Sequence, residues 1–104
     1  MPKNLVDQAE VIRSKNSGPY ELTFDIIFKT QALYEDFATR EIMTPQVFAT
    51  LYNIPTSQVI SVKYFAPAKA VKITIKRPIA SGDLGETDVY GAQQHGPLLK
   101  FSYV

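Results

Sequence analysis

At 104 residues, 45% of them hydrophobic and 20% charged, the chain has apolar material for one core and too little length for two. Eleven Lys and Arg stand against ten Asp and Glu, a formal net charge of +1, which is no polybasic signature for nucleic acid or a membrane surface. The chain has no cysteine, so disulfides, a thiol nucleophile and cysteine-based metal sites are excluded. Apolar runs fall far below the roughly 20 residues a membrane-spanning helix needs. Met1 to Asn16 holds Asp7 and Glu10 and lacks the apolar stretch of a signal peptide. The expectation is a single cytoplasmic domain over residues 1–104.

In chain order, Ala9 to Ser14 reads as a short added strand, and Lys15-Asn16-Ser17-Gly18-Pro19 as a cluster of turn formers. From Glu21 to Phe28, Leu22, Phe24, Ile26 and Phe28 alternate with Glu21, Thr23, Asp25 and Ile27, the period of a half-buried strand. Thr30 is placed as the N-cap of a helix carrying Leu33, Phe37 and Ala38 on one face. Thr44-Pro45 marks a second helix start, with Thr as N-cap and Pro in the first turn. Val47, Phe48, Leu51 and Tyr52 form its apolar stripe, and Asn53-Ile54-Pro55 ends it.

Gln58 to Phe65, rich in β-branched and aromatic residues, predicts a strand, and Ala66-Pro67-Ala68 a turn. Lys69 to Arg77 alternates again, with Val71, Ile73 and Ile75 facing one way and Ala70, Lys72, Thr74 and Lys76 the other. Ile79 to Pro97, with four glycines, predicts a long loop with one helical turn near Val89 to Gln94. Leu98 to Val104 predicts a last strand with Leu99, Phe101 and Tyr103 on one face. The order predicts an α+β fold: a ferredoxin-like split β-α-β sheet, antiparallel and of four to five strands, with the second helix largely replaced by a loop. The expected strand order sets the last strand beside Glu21–Phe28, with Glu21–Phe28 and Lys69–Arg77 central.

Candidate site residues fall in three places. Asp25 stands mid-strand, where Asp is disfavoured; pairing with Lys72 or Lys76 is the structural reading, and contact with a ligand or partner on an open sheet face the functional one. Arg13, Ser14, Lys15 and Asn16 precede the first main strand in what reads as a loop able to present N–H groups and cations to an anion, without the spacing of a phosphate-binding loop. Asp88, Tyr90, Gln93, Gln94 and His95 lie together in the long loop. There His95, Tyr90 and the more distant Asp25 are the candidates for acid–base chemistry. A recognition role or a structural one fits the same loop.

Ser81, His95 and Asp88 compose no hydrolase triad, because no nucleophile elbow surrounds Ser81. One histidine without cysteines makes no metal site, even with Glu86 and Asp88 nearby, and no cofactor fingerprint is present. RNA-recognition modules share the expected strand plan but stack bases on sheet-face aromatics. The face expected here offers Thr23, Asp25, Lys72, Thr74 and Lys76, so nucleic acid is not an expected partner.

The stretch Arg13-Ser14-Lys15-Asn16-Ser17-Gly18-Pro19-Tyr20-Glu21-Leu22-Thr23-Phe24-Asp25-Ile26, with Thr87-Asp88-Val89-Tyr90-Gly91-Ala92-Gln93-Gln94-His95, resembles the small AtuA-like ferredoxin-fold proteins, a bacterial domain of unknown function. The likeness extends through Thr44-Pro45, Leu51-Tyr52 and Ala66-Pro67-Ala68. It implies a larger AtuA-like protein as partner and a place in catabolism of carboxylic acids or their coenzyme A esters, and it transfers no catalytic residue. An accessory or interaction subunit is the expected role. The alternatives are a hydratase or lyase component using the Asp88–His95 loop, and a small-ligand-binding regulatory domain. Incompletely covered sheet surface further predicts a homo-oligomer.

Overall fold

Alternation along the two central strands builds the sheet. In the computed structural model, which describes residues 2–18, 20–76 and 96–104, β1 is Lys3–Asn4, α1 Leu5–Gln8, β2 Ala9–Gly18 and β3 Glu21–Phe28. Then follow α2 Gln31–Thr39, α3 Pro45–Tyr52, β4 Val59–Phe65, β5 Ala70–Lys76, α4 Gly96–Leu99 and β6 Ser102–Tyr103. The main sheet is antiparallel in the order β2-β3-β5-β4, so β3 and β5 are central as the alternation predicts. β5 lies between β3 and β4 and is antiparallel to both. The helical crossover thus connects two parallel strands with a third inserted between them, the split β-α-β arrangement of a ferredoxin-like α+β fold.

Both crossover helices start where their caps dictate. Thr30 Oγ1 accepts from Leu33 N at 3.2 Å, and Thr44 Oγ1 accepts from Val47 N at 3.1 Å with Pro45 in the first turn. Each cap satisfies one of the N–H groups that a helix leaves open at its start. Asn53 ends α3 at φ 54°, ψ 49°, a left-handed conformation that asparagine tolerates better than most residues. Lys69, also left-handed, closes the one-turn helix Ala66–Ala68 and reverses the chain into β5.

One apolar cluster joins the helices to one sheet face. Phe24, Ile26, Phe28, Val71 and Ile73 from the sheet are fully enclosed, with Phe37 and Phe48 above them. Phe24 lies 5.0 Å from Phe48 and 5.1 Å from Tyr52 between ring centroids, and Phe48 stacks on Tyr52 at 4.3 Å. Leu33 and Leu51, expected inside, are only partly buried. Tyr34, Met43, Leu5, Leu98 and Tyr103 are further buried members of the cluster, with Leu33 and Leu51 packed against it.

The ends of the chain depart from the expected plan. The position beside β3 belongs to β2, which runs ten residues from Ala9 to Gly18 and absorbs the segment expected as a loop. β2 immediately precedes β3 in sequence, so pairing the two costs little loop-closure entropy, whereas a strand arriving from residue 98 onward would have to close a far longer loop. Bulges at Ala9/Val11 and Asn16/Gly18 fit β2 to its partner. With that position filled, the expected last strand divides into α4 and the two-residue β6. β6 pairs with β1 in a separate two-stranded sheet, Lys3 opposite Tyr103 and Asn4 opposite Ser102. Leu5 N donates to Phe101 O at 2.9 Å, tying the two termini together. In α4, Leu98 points inward with no exposed surface while Leu99 is 42% exposed, reversing the alternation expected of a strand. The long loop expected from Ile79, including the turn near Val89 to Gln94 and the replacement of the second helix, lies outside the described residues up to His95.

Candidate functional site

The second face of the main sheet is where three of the candidate residues, Arg13, Lys15 and Asp25, come together. In an antiparallel ladder, directly opposed residues share a face. Arg13 opposes Asp25, Asp25 opposes Lys72 and Lys72 opposes Lys63, so one row crosses all four strands. A neighbouring row runs Lys15, Thr23, Thr74, Ser61. On its other side runs an apolar row of Val11, Ile27, Ala70 and Phe65. Glu21 and Lys76 stand opposite one another at the far end. The buried side chains of α1 to α4 that join the core (Leu5, Tyr34, Phe37, Phe48 and Leu98) all belong to the cluster on the opposite side. Among the described residues, therefore, no helix covers this face.

Asp25 finds a partner that the alternation alone does not identify. Its Oδ2 accepts from Arg13 Nε at 3.2 Å, and neither Lys72 nor Lys76 pairs with it. The cause is topological: β2 occupies the flank expected for the last strand and brings Arg13 opposite Asp25. The Arg13 side chain is 57% exposed and that of Asp25 only 11%, so the guanidinium sits at the surface with the carboxylate beneath it. A buried carboxylate needs such a partner, since an unpaired charge there is strongly destabilising.

Of the four neighbouring candidates on β2, Arg13 and Lys15 share the face that no described helix covers, whereas Ser14 opposes Phe24 and Asn16 opposes Leu22 on the core side. Their backbone belongs to the ladder with β3, so the segment is no N–H-lined anion loop; its contribution to a surface is through Arg13 and Lys15. The other candidates, Asp88, Tyr90, Gln93, Gln94 and His95, lie outside the described residues.

Two further features lie elsewhere. Above Tyr103, Asp36 receives Lys3 Nζ at 3.3 Å and Arg40 Nη1 at 3.1 Å, and Arg40 Nη2 donates to the Val104 carbonyl oxygen, so this cluster joins β1, α2 and the end of the chain. Desolvation pushes the Asp36 carboxyl up, but the hydrogen bond and charge of Lys3, with those of Arg40, outweigh it and hold the group below its ordinary value. A lowered folded value gives stability that is present above the unfolded carboxylate value and is lost as pH falls through the folded one. The wild type should thus lose more stability than Asp36→Asn as pH drops below about 4, measured by urea unfolding across an acid series. Superimposable acid limbs would show that the cluster contributes no charge-dependent stability.

The second feature is an open apolar hollow of about 360 Å³ between Gln46, Val47, Thr50 and Leu51 of α3 and Phe101. Among the described residues no three His, Cys, Asp or Glu side chains converge as a metal site would require. No described helix is long and apolar enough to cross a membrane.

Fold and face together define a small α+β domain of split β-α-β type, with helices on one side of the sheet and a cation-rich surface on the other. The chain belongs to the family described as a domain of unknown function, DUF4387, whose model matches residues 5–102. Neither the curated proteins nor the solved structures contain a match to it.

Proposed function

We propose that the chain is an accessory or interaction subunit that docks on a larger AtuA-like protein in bacterial catabolism of carboxylic acids or their coenzyme A esters. The observation that carries the interaction role is the four-stranded face that no described helix covers, with its row of Arg13, Asp25, Lys72 and Lys63. The resemblance of the segments around Arg13–Ile26 and Thr87–His95 to the small AtuA-like proteins supports the choice of partner. Edge-to-edge self-association has weaker support, because β2 carries two bulges and β4 one bulge with Lys63 beside it, devices that discourage strand addition. The face, and not an edge, is accordingly the proposed docking surface.

The test is reconstitution with a purified larger AtuA-like protein from the same host, followed by size-exclusion chromatography with light scattering. A stoichiometric complex is the expected result. Two separate peaks at high micromolar concentration would reject the accessory role. Turnover of a coenzyme A ester by the isolated chain, lost in His95→Ala, would favour the hydratase or lyase reading instead.

A further inference from the structure

We infer that the face over which no described helix lies binds an acidic, amphipathic protein segment laid across its strands; the inference rests on the interaction-subunit reading and specifies the chemistry of the contact. Arg13, Lys15, Lys63 and Phe65 of the edge strands are exposed on this face, while Thr23 and Asp25 at its centre are buried. Among the described residues, five cations, Arg13, Lys15, Lys63, Lys72 and Lys76, share this face with Asp25 and Glu21, an excess of three positive charges there on a chain whose net charge is +1. Lys63 and Lys72 stand directly opposite on neighbouring strands, and opposed like charges destabilise a ladder. The carboxylate nearest to them in register, Asp25, is engaged by Arg13. Neither lysine has an ion-pair partner among the described residues. A carboxylate arriving between them relieves the repulsion that the fold leaves in place.

The apolar row gives the partner its second stripe. Val11, Ile27, Ala70 and Phe65 each lie two residues along the strand from Arg13, Asp25, Lys72 and Lys63 respectively, so the two rows run side by side. Two residues of strand separate them by about 7 Å, and four strands make each row about 14 Å long. That length matches roughly ten residues of helix. The complement is therefore a segment with acidic side chains along one edge and apolar ones along the next. Phe65, 44% exposed at the end of the apolar row, is the anchor of the kind that protein interfaces favour.

Other occupants fit the same surface less well. Small anions are bound in concave sites, and this is the outer surface of a sheet. Single-stranded nucleic acid needs several stacking rings, and Phe65 is the one aromatic in these rows. A second copy would bring the same excess of positive charge against itself.

The probe is a synthetic twelve-residue helical peptide with Glu on one edge and Leu on the adjacent one, titrated into the isotope-labelled full chain and followed by amide NMR shifts. Shifts should concentrate at Arg13, Lys63, Lys72, Ile27, Ala70 and Phe65. The double variant Lys63→Glu/Lys72→Glu should weaken binding about tenfold or more, and a peptide with Lys in place of Glu should bind that variant better than the wild type. Both lysines lie off the core, and dispersed amide spectra would confirm that the variant is folded; were it not, Lys63→Glu alone on the edge strand serves. Shifts centred elsewhere, no shifts up to millimolar peptide, unchanged affinity in the folded variant, or tighter binding of oligothymidylate or inorganic phosphate would each overturn the inference. The same double variant separates this inference from the accessory role. A complex with the AtuA-like protein that survives the charge reversal defeats the face and keeps the role. A face that binds the peptide while no such complex forms defeats the role and keeps the face.

Discussion

Phe24→Ala should cost about 3–5 kcal/mol of unfolding free energy in a urea titration, the range for truncating a buried phenylalanine. Phe24 has no exposed surface and lies in the middle of β3, opposed by Ile73 of β5 and Ser14 of β2. Its ring meets Phe48 and Tyr52 of α3 at 5.0 and 5.1 Å, so the truncation opens a cavity at the seam between sheet and helices. Aromatic pairs of this geometry add to the loss beyond the area they bury. Relaxation into the cavity is opposed by the ladders on both sides of β3. A domain of this size is stable by only about 5–15 kcal/mol, so the variant should be close to unfolding at physiological temperature. A loss below about 1 kcal/mol would mean that Phe24 is not enclosed between sheet and helices.

Leu98→Ala should cost about 2–5 kcal/mol, while Leu99→Ala should stay within about 0.5 kcal/mol of wild type. The two substitutions remove the same atoms from adjacent residues and so isolate orientation. Leu98 is enclosed in the same cluster as Leu5, Phe37 and Tyr103, whereas Leu99 faces outward. If the segment were instead a strand with Leu99, Phe101 and Tyr103 inward, the order of the two losses would reverse. Equal losses would show α4 to be loosely held and the burial of Leu98 unimportant. Thermal unfolding of the two variants beside the wild type decides among these outcomes.

The part of the fold legible in the residues is the part governed by local periodicity and local caps. Ala70–Lys76 alternates in burial as it does in sequence. The apolar set Leu22, Phe24, Ile26 and Phe28 of Glu21–Phe28 enters the core as its spacing predicts, although Thr23 and Asp25 between them are buried too. Thr30 and Thr44-Pro45 place both helix starts, because a cap acts within a few residues. The family model over residues 5–102 agrees with the resemblance only as far as a domain of unknown function. In the candidate site, Asp25 stands out in the sequence as a charge in mid-strand. Arg13 is also visible there, but among the members of a supposed loop.

What residue spacing leaves open is which strand lies beside which. Ala9–Ser14 reads as a short added strand and Leu98–Val104 as a last strand, and residue spacing does not decide which of them flanks β3. The competition is settled by loop closure and packing across the whole chain, which give the flank to β2 and leave β6 to pair with β1. That outcome brings Arg13 to Asp25 and aligns three cations and one carboxylate in a row across four strands, although the residues concerned are scattered from position 13 to position 72. Local periodicity and caps therefore determined that this chain would form an α+β domain, and composition that its total charge would be nearly neutral. Tertiary pairing alone decided that its positive charge would collect on one side of the sheet, because register, not sequence proximity, sets which side chains become neighbours.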